Sequence, residues 1–315
     1  MTDTTDIRSI GDLPVQRAHQ PATRAEHRAR FFNSGNAFNI KLPDVPNAVF
    51  SDEPAKALAP ETEIGFISCD ASEVLNCPAP ATSPLLLAQY LKIRGDAQFS
   101  HPYFASGVVH YAISGSGTLP AGDETIQWSQ GDVVLAPGGV EISYLSSGSD
   151  AVFWVVSNEP HLKFEGLQPP EVTNTLTGLV HYSHAEIRRQ IELLYTVEQG
   201  ADTAGIALIF SSDQQQNTRN ILPTLTLAMN TLPPDGAQRA HRHNSVAVSL
   251  VIQGEECYSL IDGERKDWSP FATTITPPTS VHSHHNDGDN QALFLIVQDG
   301  GLYYHTRAMG FAFAD

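Results

Sequence analysis

Three histidines carry the chemistry this sequence can do. His241 and His243 stand in AHRHN, and His282 stands in TPPTSVHSHHN. In an extended strand residues i and i+2 share a face, so His241 and His243 point one way and Arg242 the other. His282, from a later strand just past a Pro-Pro turn, completes a facial set of neutral nitrogen donors. Imidazole suits iron, zinc, copper and nickel. Three protein ligands leave positions for water, substrate or O2, the layout of a reactive site and not of a closed structural one. His284, two residues past His282, faces the same interior; it is a candidate fourth ligand, acid/base beside the metal or plain hydrogen-bonder, and the acid/base role is the expected one. His285 faces away and is expected to be solvated or structural.

The elements that must hold these side chains read as short β-segments broken by Gly, Pro and Asp. LLLAQYLKI, VVHYAIS, DVVLAP and AVFWVV are apolar or alternating runs of strand length, and the same grammar returns in TLTLAMN, VAVSLVI, CYSLI, TTITPP and ALFLIV. Asp262-Gly263 between CYSLI and RKDW is a hairpin turn. One helix separates the two sets: Ser183 and Glu186 make a capping box, Ile187, Ile191 and Leu194 follow at helical spacing, and Gly200 supplies a stop.

The two sets are copies. AQFSH ends at His101 and AQRAH at His241; Trp128 matches Trp268, Pro137 matches Pro277 and Gly148 matches Gly288, all at an offset of 140 residues. A repeat that long duplicates a whole domain. The expected fold is therefore mainly all-β, two tandem barrels or jelly rolls joined by a helical linker. The expected boundaries are an N-terminal arm over 1–60, packed on the body or on a partner subunit, a first barrel over 61–160, a linker over 161–203 and a second barrel over 204–315. The first copy lacks the triad. Tyr103 stands for His243, Ile142 for His282 and Tyr144 for His284, so the first barrel reads as metal-free and structural, with His101 and His110 as ordinary histidines.

Composition narrows the partners. The 315 residues hold 18 basic and 35 acidic side chains, a net charge of 18 − 35 = −17. A field of that sign repels nucleic acid and anionic lipid. Cys69, Cys77 and Cys257 are odd in number and none lies in a CxxC, which points away from a disulfide framework and toward a reducing compartment. The N-terminus has no apolar signal region and no apolar run reaches about 18 residues, so a cytoplasmic protein without a membrane span is expected. The arm and the duplicated barrels point to a homo-oligomer.

The pattern H-R-H, a strand ending at Gly254, and then T-P-x4-H-x-H-x-N resembles the cupin superfamily. Within it, the chain resembles the two-barrel gentisate/salicylate 1,2-dioxygenase and 1-hydroxy-2-naphthoate dioxygenase group, best over residues 204–312. The resemblance implies one Fe(II) on His241, His243 and His282, with O2 and a hydroxylated aromatic acid as substrates. It implies His284 as the histidine beside oxygen or substrate, and Asn230 as a polar amide meeting the substrate. It also implies a barrel wall that excludes water, with Leu227, Val248, Leu250, Phe294 and Ile296 as its candidates.

Two departures stand out. Many relatives carry an arginine six residues after the second ligand, facing the substrate carboxylate; here Ser249 occupies that place, and Arg239 and Arg219 are the candidate replacement anchors. The usual cupin glutamate is also missing, with Val246, Ala247 and Val248 nearby. Two other classes stay open on the residues alone: a non-oxidative isomerase or hydrolase using Zn, Mn or Ni at the same ligands, and a bicupin that binds without chemistry. The sequence does not fix which ring is the substrate.

Overall fold

The computed structural model describes residues 7–38, 40–200 and 203–314. The first six residues of the expected arm and residues 201–202 of the expected linker lie outside the described residues. The chain divides into two units, residues 1–43 and 44–315. In the first unit, Thr23 caps the helix Arg24–Arg28 by accepting from the Glu26 amide, and Gln16 pairs with Phe31.

The second unit carries both barrels. Among its described residues, one six-stranded sheet runs Val180–Tyr182, Val133–Pro137, Gly107–Ser114, Ala151–Ser157, Leu87–Ile93 and Gly65–Ser68, opposite a four-stranded sheet of Gln98–Pro102, Glu141–Ser146, Ser116–Ala121 and Glu124–Ser129. The second barrel repeats the plan. Its six-stranded sheet runs Val49–Phe50, Thr273–Thr276, Ala247–Gln253, Ala292–Gln298, Thr226–Leu232 and Ile206–Phe210. Its other sheet runs Glu264–Asp267, Cys257–Ile261, His282–Asn286, His241–His243 and Phe311–Phe313. Register preserves the duplication: His101 pairs with Ile142 as His241 pairs with His282.

The expected arm, residues 1–60, contains an edge strand of the second barrel. Val49 and Phe50 pair with Thr274 and Thr273 of the second barrel, while Val180–Tyr182, from the linker, pairs with Val133–Leu135 of the first. Each barrel thus receives an edge strand from the segment that precedes the other. The helix also differs from its expected end. Ser183 caps it, but it stops at Leu194 with Tyr195 as its C-cap, five residues before Gly200. The hairpin at Asp262-Gly263 is as read: both residues have positive φ (49° and 81°) between the paired Ile261 and Glu264, as a type I′ turn requires.

A continuous apolar cluster joins the two six-stranded sheets, including Tyr90, Trp154, Val248, Leu250, Leu227 and Leu295. Thr273 polarises its centre: the Trp154 indole donates to Thr273 Oγ1 at 2.9 Å, and the Tyr90 hydroxyl lies 2.7 Å from the same oxygen and 2.5 Å from the Phe271 carbonyl. Tyr90→Phe leaves that half-buried carbonyl and Thr273 Oγ1 without their partner and is expected to cost about 1 kcal/mol. A thermal unfolding midpoint unchanged from wild type would contradict that reading.

Candidate metal centre

His241–His243 is a three-residue strand whose burial alternates: both histidines are buried and Arg242 is exposed. Pairing with Phe311–Phe313 on one side and with His282 on the other holds the strand in this orientation. Asp299 fixes the turn that follows, accepting from the Val246 amide at 2.9 Å. Burial raises the Asp299 carboxyl to about 6.

The three imidazoles converge. One nitrogen from each of His241, His243 and His282 lies within 4.8 Å of the other two. The opposite nitrogen of each is engaged by backbone: His241 Nδ1 donates to Arg239 O at 2.8 Å, His243 Nδ1 to Ser245 O at 2.9 Å and His282 Nδ1 to Ser280 O at 2.9 Å. These bonds place the proton on Nδ1 and leave each Nε2 lone pair facing inward. Burial works in the same direction, pushing His241 down, His243 to about 4 and His282 to about 3. Three neutral, oriented Nε2 donors without an adjoining carboxylate suit one divalent first-row metal. Gln298 adds a check on the tautomer: its amide nitrogen lies 3.2 Å from His243 Nε2, a donor aimed at an unprotonated acceptor.

His284 sits beside the triad, its ring centroid 5.9 Å from that of His282 and 4.6 Å from that of Phe294. The Trp268 indole donates to Ser259 Oγ at 2.9 Å, and Ser259 Oγ lies 2.8 Å from His284 Nδ1. Trp268 can only donate, so the serine proton is free to point at Nδ1. His284 Nε2 then carries the hydrogen and serves as a donor on the cavity side. Burial holds the ring neutral. His285 faces away, stacked on Tyr258 at 4.7 Å and bonded to Ser283.

The triad and His284 line a cavity of about 770 Å³. Asn230 and Ser249, the expected substrate contacts, both line it and both are buried. Arg239 does not. Its guanidinium lies 3.7 Å over the Phe313 ring, and it serves the site through its backbone carbonyl on His241. Arg219 does line the cavity. The expected apolar wall divides by strand parity. Ile296 lines the cavity and Phe294 packs under His284, whereas Leu227, Val248 and Leu250 belong to the cluster between the sheets. Residues the sequence did not single out complete the wall: Gln298, Gln238, Tyr304, Met309 and Phe311. Gln298 was legible from parity, two residues past Ile296; Phe311 arrives on a C-terminal strand with no pattern of its own.

In the first barrel the equivalent space is filled. Tyr103 and Tyr144 share a 2.7 Å hydroxyl contact, and Tyr144 reaches His110 Nε2 at 2.7 Å, inside a shell of Phe99, His101 and Phe153. Burial lowers His110 to about 4.

Residues 228–298 match the family model described as a cupin domain. This part of the chain is a cupin domain. The cupin match covers the second barrel's central strands and all three triad histidines. Among curated proteins, a gentisate 1,2-dioxygenase of Ralstonia sp. is 34% identical over 82 residues, 26% of this chain and 23% of that protein. A 1-hydroxy-2-naphthoate 1,2-dioxygenase of Nocardioides sp. (strain KP7) is 35% identical over 87 residues, 27% of this chain and 22% of that protein. The matched stretch thus spans under a quarter of the length of these two relatives. A solved salicylate 1,2-dioxygenase of Pseudaminobacter salicylatoxidans superposes with a TM-score of 0.72 over 88% of this chain and 91% of that one, at 13% identity, so the two chains share one two-barrel fold. Among the described residues no helix is long and apolar enough to cross a membrane.

The buried neutral histidines give the protein a defined acid response. Between about pH 6.5 and 4 the unfolded chain takes up protons at His110, His243 and His282 that the folded one refuses. Stability of the metal-free protein therefore falls as pH drops through that window and is fully present above it. Thermal midpoints of chelated protein measured across that range should decline steadily; a flat profile would refute the neutral-histidine assignment.

Proposed function

We propose that the protein is a ring-cleaving dioxygenase that uses Fe(II) on His241, His243 and His282 to insert both atoms of O2 into a hydroxylated aromatic acid. The observation that carries this reading is the donor set itself, one nitrogen from each of three buried histidines within 4.8 Å of the others, in a cavity of about 770 Å³. The similarity of the cupin stretch to gentisate and hydroxynaphthoate dioxygenases supports the choice of iron and O2. When bound, ferrous iron supplies Lewis acidity toward a phenolic hydroxyl and a route for electrons from the ring to O2.

The chain's own residues supply the rest. The three carbonyls on Nδ1 fix the ligand rings before any metal arrives. His284 presents Nε2–H where negative charge develops and can pass that proton, with Ser259 and Trp268 holding its tautomer. Asn230 and Ser249 offer an amide and a hydroxyl to the substrate's polar groups. Ile296, Met309 and Phe311 line the apolar side of the cavity.

A non-oxidative reaction at Zn, Mn or Ni would need the same ligands and no O2. Turnover under ¹⁸O₂ separates the two: two labelled atoms in an opened acid support ring cleavage, and turnover that proceeds without O2 refutes it.

A further inference from the structure

Arg219 is the one cationic side chain, histidines aside, among the described residues lining the cavity, and no described carboxylate lines it. A second cavity of about 550 Å³ continues from the first, shares Asn230, Ile296, Gln298 and Tyr304 with it, and is again lined by Arg219 as its only described charged residue. On a chain of net charge −17 a lone arginine at this junction is a local reversal of the field.

Its position is built. Arg219, itself exposed, lies within the connection between strands Ile206–Phe210 and Thr226–Leu232; beside it the loop is closed by Ser211 Oγ donating to Asn220 O at 2.9 Å and rooted by the fully buried Ile221 and Leu222. Its backbone holds a positive φ of 59°, a conformation that favours glycine. No ion pair engages its guanidinium among the described residues.

The sheet gives the direction. Gln298 touches His243 Nε2, so the metal end lies by the Ala292–Gln298 strand. Thr226–Leu232 and then Ile206–Phe210 follow in the sheet, two strand spacings or roughly 10 Å away. The position beside the metal where an anion contact was expected is Ser249, a neutral hydroxyl. We propose that Arg219 binds the substrate's acidic group at the far end of the cavity, so that the substrate class is a phenol carrying its carboxylate away from the hydroxyl and not beside it. The proposal rests on the ring-cleaving reading only in taking the ligand to be an aromatic acid.

Calorimetric titration of the Fe(II)-loaded protein without oxygen tests it, using para-hydroxyphenylpropanoate, its methyl ester and salicylate as probes. Arg219→Gln should weaken the propanoate about tenfold and leave the ester and salicylate within about twofold, while Arg219→Lys recovers most of the loss. Arg219→Gly should lose the same affinity yet melt no lower than wild type, because glycine adopts the positive φ freely. Unchanged propanoate affinity in Arg219→Gln, or an equal loss for the ester or for salicylate, overturns the proposal. So does a lowered melting point in Arg219→Gly with ester binding lost as well. Arg219-dependent binding without oxygen uptake by any probe would count against ring cleavage and leave the anchor standing.

Discussion

His243→Ala is expected to abolish metal binding and turnover together. His243 is the most constrained ligand of the triad, held through Nδ1 by Ser245 O at 2.9 Å and flanked by Gln298 at Nε2. Outer-shell partners of a metal ligand are each worth about 10- to 100-fold in affinity or activity, so removal of the ligand itself should exceed about 100-fold in both. The fold should survive, since the side chain borders a cavity and not the apolar cluster between the sheets. Tyr103→Phe at the equivalent place in the first barrel is the control, because its hydroxyl contacts Tyr144 in a filled space. Metal content by elemental analysis should be lost in His243→Ala and unchanged in Tyr103→Phe. Retained stoichiometric metal in His243→Ala would mean that the site has been misassigned.

His284→Ala is expected to separate chemistry from metal binding. The ring is buried, neutral and oriented by the Trp268–Ser259 chain, and its free nitrogen faces the cavity. A positioned general acid or hydrogen-bond donor contributes about 10²- to 10⁴-fold. kcat should fall within that range while iron content stays at the wild-type level. Ser259→Ala should show a smaller loss of the same kind, since it frees the tautomer without removing the ring. If His284→Ala loses iron in step with activity, His284 is a fourth ligand and its proposed role is wrong.

Much of this was legible in the chain because the physical signals were strong. Nine apolar runs became strands, and the 140-residue offset became a shared register, His101 on Ile142 and His241 on His282. The H-x-H spacing sufficed to bring two ligands to one face, and the third followed from the second strand of the same sheet. What failed was side of sheet and tertiary exchange. Val248 and Leu250 are apolar and near the ligands in sequence, yet parity turns them into the core between barrels while Asn230, Ser249 and Ile296 face the cavity. Composition alone cannot make that distinction when both faces of a strand are buried. Val49–Phe50 is too short to carry a period, and its pairing with the distant Thr273–Thr274 is a tertiary event. Arg239 lies two residues from a ligand in sequence, but a strand alternates, and Phe313 offers its side chain an aromatic face outside. Arg219 is 22 residues before His241 and reaches the cavity only because the intervening strand returns the chain across the sheet.

We propose the second-barrel triad as a redox iron site for a hydroxylated aromatic acid. Anaerobic reconstitution with one equivalent of Fe(II), followed by admission of O2 in the presence of gentisate, salicylate, 1-hydroxy-2-naphthoate and para-hydroxyphenylpropanoate, tests it most directly. Oxygen uptake matching substrate loss one for one, absent in the Zn(II)-loaded protein and in His243→Ala, is the predicted result. No uptake with any of these acids by stoichiometrically iron-loaded protein would contradict the claim.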